Sequence, residues 1–190
     1  MALQAQSSGG FLQRVFQPEE YKWWHAALFG VAVNLPPVLV GALPLIRSGG
    51  SDEAFYKSMQ QAWYAPPAWA FGPVWAFNNI TTLWGNLILL NKPAHTPYRT
   101  SLLLVQGASW FLFATFGIVY FGMKSVILAF GWTFADLLLT LLSLWLAARI
   151  DRRIVLSLVP LTLWLLLASA VAAYQVLYNR DILFDVGPWL

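Results

Sequence analysis

Five runs of apolar residues, each about as long as a membrane helix, constrain this chain more than any other feature. A helix needs about 20 mostly apolar residues to cross the hydrocarbon core of a bilayer. The segments that separate the last four runs are short, so successive helices are expected to lie antiparallel as neighbours. The sequence therefore predicts an all-α membrane protein built as a five-transmembrane-helix bundle. The five spans are 23–46, 67–90, 101–123, 125–148 and 154–178.

The composition agrees with an exterior that faces lipid and excludes several functions. Only 10% of the residues are charged, whereas soluble domains carry roughly 25%. Cysteine is absent and there are two histidines, so we expect no disulfide and no metal site. No basic stripe indicates nucleic-acid binding. No nucleophile–base or acid–base pair indicates a hydrolase, so we predict no catalytic residue and no required cofactor.

The apolar runs divide the chain into three parts. Residues 1–22 are predicted to be a polar, partly disordered segment with an interfacial helix. Residues 23–179 are predicted to form the membrane domain, and 180–190 a short C-terminal tail. The segment 47–66 begins polar and becomes aromatic, and we expect it to form a loop over a cavity.

Basic residues are distributed unequally between the two ends of this bundle. Cytoplasmic loops of membrane proteins carry an excess of lysine and arginine. The end with the N-terminus has more of them, so we expect the N-terminus in the cytoplasm and the C-terminus outside, in a bacterial inner membrane or an organelle membrane. The two sets are Arg14, Lys22, Lys92, Arg99, Arg149, Arg152 and Arg153 against Arg47, Lys57, Lys124 and Arg180.

A polar face is predicted on the second apolar run. Trp75, Asn79, Thr82 and Asn86 recur at helical spacing, which places them on one side of a helix. Asparagine and threonine commonly form hydrogen bonds between membrane helices. The same residues could instead line a polar cavity for a ligand, and the spacing leaves both interpretations open.

Asp136 is the one acidic residue well inside a predicted span, on a face with Thr133, Thr140 and Ser143. A carboxylate in a bilayer is costly unless it is neutralised or hydrogen-bonded, so this side chain is expected to face the bundle. No lysine or arginine lies at the same depth in the sequence. We therefore expect a protonated acid, or one bonded to threonine, asparagine or tryptophan. A structural role and a ligand or proton role both stay open.

The fifth run carries Trp164, Ala168, Ala172 and Gln175 along one face. A large indole beside small side chains leaves room for a planar ligand. Small residues four positions apart also allow two helices to pack closely. The spacing does not separate these two interpretations.

The motif PPAWAFGPVW at 66–75 resembles the signature of the TspO/MBR family of tryptophan-rich sensory proteins and translocator proteins. FYKSM at 55–59 and VPLTLWLLLAS at 159–169 are similar to two further motifs of that family, and eleven tryptophans fit its name. The resemblance covers about residues 23–179. It implies a five-helix bundle whose cavity, roofed by the first loop, binds porphyrins and aromatic drugs.

The resemblance also implies nine ligand-binding residues. Trp75 and Trp164 match the two cavity tryptophans of the family and are expected to form opposing walls, with the small Ala168 beside the second. The other six either match family positions or depart from the family pattern within the cavity. They are Tyr56, Trp69 and Gln106, which match, and Asn79, Trp110 and Ala172, which depart.

The function implied by the resemblance is that of an integral membrane sensor or transporter of tetrapyrroles, porphyrins among them, or of similar planar hydrophobic molecules. One alternative is a structural or pigment-holding subunit of a larger membrane complex. A second alternative is tryptophan-dependent photo-oxidative breakdown of porphyrin. The expected partners are membrane lipid and the planar ligand, together with a second copy of the chain or other membrane subunits, and no nucleic acid.

Overall fold

The computed structural model of this chain describes residues 20–42 and 52–190. Within those residues the chain forms six α-helices and no β-strand. Most of the predicted segment 1–22, and the positions 43–51 with the start of the predicted loop, lie outside the described residues. The helices are α1 (Trp23–Ala42), α2 (Asp52–Ser58), α3 (Phe71–Leu90), α4 (Arg99–Gly117), α5 (Val126–Ala147) and α6 (Arg152–Tyr178).

Local sequence explains where the long helices begin. Pro67 has an extended backbone and precedes a 3₁₀ turn, Ala68–Ala70, so regular α-helix starts later than the predicted span. Proline suits this place because the first N–H groups of a helix have no partner within it. Ser125 and Asp151 cap α5 and α6, since each side chain accepts a hydrogen bond from a backbone N–H of the first turn.

Three helices in the described part of the chain are long and apolar enough to cross a membrane. They are α4 with its π-helical extension to Gly122, α5 and α6, and their mean hydropathies are 1.9, 1.9 and 2.4. α3 is not among them because Asn78, Asn79 and Asn86 lower its mean hydropathy. The described residues thus form an all-helical protein with three candidate spans, whereas the apolar runs of the sequence predict five spans.

The long helices pack side by side around a largely apolar interior. α6 lies against α3 and α5, while α4 lies against α5 and α1. Gly85 allows α3 to approach α6 closely, because a side chain at this position would collide with the Ser157 hydroxyl. One apolar cluster lies where α3, α4, α5 and α6 meet at one end. Its members are Leu89, Leu102, Leu146, Ala147, Ile154 and Leu158.

Polar contacts tie the connecting segments together at that end. The backbone of Tyr21 and the side chain of Asn91 exchange two hydrogen bonds of 2.8 Å. Lys92 Nζ lies 2.7 Å from Asp151 Oδ2, which joins the α3–α4 segment to the α5–α6 segment. Hydrogen bonds, the larger effect from Arg153 and the smaller from Lys92, hold the pKa of the Asp151 carboxyl well below its usual value. The start of α1 and these two connections therefore lie together.

The opposite end, called the loop end below, gathers the segments that follow α2, α4 and α6. Asn179 accepts a hydrogen bond from the Gln60 N–H and donates one to the Gln60 carbonyl. Asp181 is fully buried, and its Oδ2 lies 2.7 Å from the Ser125 hydroxyl and 2.9 Å from the Ile127 nitrogen. The C-terminal tail is thus docked on the bundle. Consecutive long helices run antiparallel between the two ends.

Three side-chain hydrogen bonds connect α4 to α5 along their length, and we call them the polar seam. Each joins a residue of one helix to a residue of the other, at distances of at most 2.9 Å. Such bonds fix the register between two apolar helices, because a shift along the axis would leave every partner unpaired. They join Gln106 to Ser143, Ser109 to Asp136 and Trp132 to Thr115.

Asp181 makes the stability of the loop end depend on pH. Burial alone raises the pKa of its carboxyl, but hydrogen bonds from Ile127, Ser125 and Phe184 outweigh burial and hold that pKa below its usual value. A carboxylate with a lowered folded pKa stabilises the fold above its unfolded pKa of about 3.9. The stabilisation is lost as the pH falls through the folded pKa.

Asp181→Asn is therefore expected to destabilise the protein at neutral pH by about 1–3 kcal/mol, since the amide cannot accept all of these hydrogen bonds. Below about pH 4 the parent is destabilised because Asp181 becomes protonated. The variant lacks this carboxyl, so its stability should fall less over the same pH range. Thermal unfolding in detergent across that pH range measures both effects. Asp185→Asn is the matched control, because Asp185 forms an exposed ion pair with Arg180. Equal midpoints for the two variants would exclude a stabilising role for Asp181.

Candidate ligand-binding site

Two tryptophans from separate helices meet inside the bundle, in the half nearer the loop end. Trp75 on α3 and Trp164 on α6 lie edge to face, with ring centroids 6.3 Å apart and ring planes at 82°. Trp164 is buried and Trp75 is half-buried. The rings meet because α3 packs along α6.

Two phenylalanines and one alanine complete this group. Phe71 contacts Trp164 with ring centroids 5.5 Å apart, and Phe113 on α4 contacts Trp75 at 5.0 Å. Ala168, one turn after Trp164, lines the same small space. We call these five residues the aromatic site.

The aromatic site encloses a cavity of about 40 Å³, whereas pockets for drug-sized ligands measure about 300–1,000 Å³. Trp75 and Trp164 contact each other directly and do not stand apart as the opposing walls expected from the resemblance. A planar ligand fits between them only if neighbouring rings move aside. Phe71 and Phe113 are the rings that must move, because they contact the two tryptophans from either side.

Two polar groups border the aromatic site. The Trp164 Nε1–H is buried and has no hydrogen-bond partner among the described residues, and it becomes accessible only if neighbouring rings move aside. Asp136 lines the same cavity and is buried, facing the bundle as expected. Its carboxyl accepts a hydrogen bond from Ser109. The sequence predicts a protonated acid, or one bonded to threonine, asparagine or tryptophan. The predicted choice of partner is wrong, because the register of α4 against α5 brings a serine to the acid.

Three other predicted residues lie away from the aromatic cavity. Tyr56 is buried at the loop end, donates its hydroxyl hydrogen bond to the Pro66 carbonyl over 2.8 Å, and packs against Phe71. Burial raises the pKa of the Tyr56 hydroxyl. Trp69 points outward and is 77% exposed. Ala172 is buried on α6 but is not among the described residues that line the cavity.

The polar face of α3 differs from the prediction by one residue. Asn78, and not Asn79, is the buried asparagine, in line with the buried Thr82 and Gly85. Asn79 is half-buried and does not line the aromatic cavity. Both asparagines fit a helical spacing with Thr82, so only the packing of α3 on α6 decides between them.

A larger space, the lateral cavity, measures about 480 Å³ and lies between α1, α3 and α4, in the half away from the loop end. Most of its wall is apolar, and its polar members include Asn86, Gln106 and Trp110. Gln106 and Trp110, predicted as site residues, therefore lie on this cavity and not on the aromatic one. The other lining residues are Tyr21, His25, Ala26, Leu28, Phe29, Ala32, Leu83, Leu87, Leu90, Leu103 and Gly107.

Ring contacts connect the lateral cavity to the aromatic site. Trp110 contacts Phe113 with centroids 5.7 Å apart, and Phe113 contacts Trp75. Trp110 also contacts Phe29 of α1, with centroids 5.4 Å apart. Trp110 and Phe113 thus stand between the two spaces and separate them.

Three residues that the structure places here are not among the site residues predicted from the sequence. Phe71 lies within the tryptophan-rich motif at 66–75. Phe113 follows Gln106 and Trp110 at helical spacing, and this signal identifies it as a member of the same face. Ser109 lies three residues after Gln106, so helical spacing also places it on this face, but only the register between α4 and α5 shows that it meets the buried acid.

The model of the TspO/MBR family matches residues 32–177, which begin within α1 and end within α6. The matched region contains every member of the aromatic site. No curated protein matches the chain.

The pairing of Ser109 with Asp136 provides a test of the polar seam. Asp136→Asn is expected to keep most of the stability, because an amide oxygen can still accept the serine hydrogen bond. Asp136→Leu is expected to cost about 1–3 kcal/mol by leaving the Ser109 hydroxyl unpaired in the interior. Thermal unfolding of both variants in detergent measures the difference. If both variants are as stable as the parent and both lose their response to ligand, the role of Asp136 is functional and not structural.

Proposed function

The chain belongs to the TspO/MBR family, and on that basis we propose that it is an integral membrane protein that binds tetrapyrroles or similar planar hydrophobic molecules, as a sensor or a transporter. In this proposal α1, α3, α4, α5 and α6 are the five spans of one bundle. The basic residues near Lys92 and Arg152 orient that end toward the cytoplasm. His95 is exposed at this end, so thiol labelling of a His95→Cys variant tests the orientation. Labelling from the cytoplasmic face is expected, and labelling from the outer face would mean that the bundle has the opposite orientation.

One observation carries the proposal. Trp75 and Trp164, which are far apart in the sequence, meet in one site with the small Ala168 beside them. Indole faces stack on planar ligands, and aromatic pairs add about 0.5–1.5 kcal/mol beyond the burial of their area. The unpaired Trp164 N–H supplies a donor for an acceptor atom of the ligand.

The ligand gains its space by displacing Phe71 and Phe113. Both side chains are half-buried and contact the tryptophans through their rings. Turning a phenylalanine aside breaks ring contacts of about 0.5–1.5 kcal/mol each. Stacking of a planar ligand on both tryptophans forms contacts of the same kind, so it can offset the free energy lost when the phenylalanines move.

Positive charge at the loop end suits the carboxylates that natural porphyrins carry. Lys57 on α2 and Lys124 before α5 both lie at that end. Ring contacts lead from there inward, from Tyr56 to Phe71 and on to Trp164. A tetrapyrrole that inserts its apolar edge along this path keeps its carboxylates at the loop end, where they are not buried in the bilayer.

Trp75→Ala and Trp164→Ala are each expected to weaken porphyrin binding roughly ten- to a hundred-fold. Each removes a stacking face together with apolar contact area, at about 25 cal/mol per Å². Trp164→Phe keeps a ring but lacks the N–H donor, so its loss should be about tenfold or less. Titration of the purified variants, followed by the Soret absorption band of the porphyrin, measures the affinities.

Trp63→Ala is the matched control, since this tryptophan is 95% exposed and lies outside the aromatic site. Trp69→Ala is expected to behave like the control because of its exposure. Parent-like affinity in both Trp75→Ala and Trp164→Ala would show that porphyrin does not bind at the aromatic site. A structural or pigment-holding subunit would then be the better description.

A further inference from the structure

We propose that Tyr98, Trp145 and Arg149 form a binding site for the phosphate group of an anionic phospholipid. These three residues, called the Arg149 cluster below, lie where α4 begins and α5 ends. The lipid is held on the outside of the bundle, with its acyl chains along α4 and α5. This end of the bundle is opposite to the loop end, so the proposal does not depend on the aromatic site.

Ring contacts hold the Arg149 cluster together. The Arg149 guanidinium lies over the Trp145 ring, with its Cζ 3.5 Å from the ring centroid. The Tyr98 ring centroid lies 6.2 Å from that of Trp145 and 5.9 Å from Arg149 Cζ. Arg149 Nη1 also donates a hydrogen bond of 2.6 Å to the Trp145 carbonyl. The positive charge is therefore held in place before a ligand binds, which lowers the entropic cost of binding.

Tyr98 adopts a left-handed backbone conformation at its position in the cluster. Its φ is 63°, in a region that residues other than glycine rarely occupy. Tyr98 directly precedes α4, but its side chain does not cap the helix by a hydrogen bond. Strained residues of this kind are concentrated at functional sites. A ligand that uses the ring and the hydroxyl of Tyr98 accounts for the strain.

The Arg149 cluster offers hydrogen-bond donors to a ligand. They are the Tyr98 hydroxyl, the Trp145 indole N–H and the guanidinium N–H groups other than Nη1. All three residues are exposed, and these groups have no acceptor among the described residues. Arg149 forms no ion pair with the described residues, and Asp151, two residues later, is bound by other basic side chains. A phosphate group matches the cluster, because its charged oxygens accept several hydrogen bonds and pair well with arginine.

Further positive charge beside the cluster selects an anionic lipid over a zwitterionic one. Arg152 and Arg153 are exposed at the start of α6, three and four residues after Arg149. Asp151 is shared by Arg153 and Lys92, which leaves the segment with a net positive charge. A choline or ethanolamine group would place a cation beside these arginines, whereas a glycerol head group is uncharged. Groups of basic residues at the ends of membrane helices are typical of sites for anionic lipids.

The surface that continues from the cluster suits acyl chains. Leu142 and Leu138 follow Trp145 along α5 and are 43% and 52% exposed, while Leu104 on α4 is 71% exposed. The 22 residues of α5 extend about 33 Å, close to the hydrocarbon thickness of about 30 Å. Trp145, near the end of α5, thus lies where the head groups begin. An acidic peptide in water could pair with the arginines but would not cover the apolar surface, so the lipid is the better match.

The experiment is native mass spectrometry of the full chain in detergent, titrated with dioleoyl phosphatidylglycerol or with dioleoyl phosphatidylcholine. The two lipids have the same acyl chains and the same phosphate but differ in the charge of the head group. The affinity for the first bound lipid is expected to be about tenfold higher for phosphatidylglycerol. Arg149→Gln should weaken the binding of phosphatidylglycerol about five- to tenfold, and that of phosphatidylcholine by about twofold or less. Arg180→Gln removes an exposed arginine at the loop end, so it is the matched control for net charge and should bind like the parent.

Tyr98→Gly separates a role in binding from a role in the fold. Glycine adopts the left-handed conformation without strain, so the thermal midpoint should not fall. The affinity for phosphatidylglycerol should fall about two- to tenfold, because the variant loses the ring and the hydroxyl. A lower midpoint with the affinity of the parent would overturn the proposal, since Tyr98 would then serve the fold alone.

Equal affinity for the two lipids, or the affinity of the parent in Arg149→Gln, would also overturn the proposal. Displacement of phosphatidylglycerol by excess glycerol 3-phosphate would overturn it as well, and would mean that a soluble phosphate compound occupies the cluster. Porphyrin affinity in Arg149→Gln is expected to equal that of the parent, so failure here leaves the aromatic site untouched. The thermal midpoint of each variant verifies that it folds.

Discussion

The polar seam between α4 and α5 is the interaction on which the rest of the structure depends. Lipid offers no hydrogen bonds, so polar groups on membrane helices must find partners within the bundle. The pairing of Gln106 with Ser143 and of Ser109 with Asp136 sets both the rotation and the register of α4. With that rotation, Trp110 meets α1 and Phe113 meets Trp75 on α3. The seam therefore decides where aromatic rings fill the interior and where space is left.

The seam and the rings divide the interior into two spaces of different character. The aromatic site is small, and its binding surface consists of ring faces with one unpaired indole N–H. The lateral cavity is more than ten times as large, and most of its wall is apolar. A flat aromatic molecule fits into the first space only if rings move aside, whereas the second space is open without such a movement. Trp110 and Phe113 lie between the two spaces and border both of them.

The sequence predicted the features that depend on single segments and missed those that depend on how segments meet. The tryptophan-rich motifs identified the family, and they contain Trp75, Trp164 and Ala168, which do come together. Trp69 belongs to the same motif but points outward, since a motif defines a backbone path and not the environment of each side chain. Helix rotation decides which asparagine of α3 is buried, and helix register decides which residue meets Asp136. Helical spacing in the sequence reveals neither rotation nor register. Cavity volume likewise depends on how rings from three helices interlock.

A structure of the protein with protoporphyrin bound, determined in a lipid environment, tests the central claim most directly. We expect the porphyrin plane between Trp75 and Trp164, with Phe71 and Phe113 turned aside and the 6.3 Å edge-to-face contact of the tryptophans broken. Porphyrin elsewhere, with Trp75 and Trp164 still in contact, would contradict the assignment of the aromatic site.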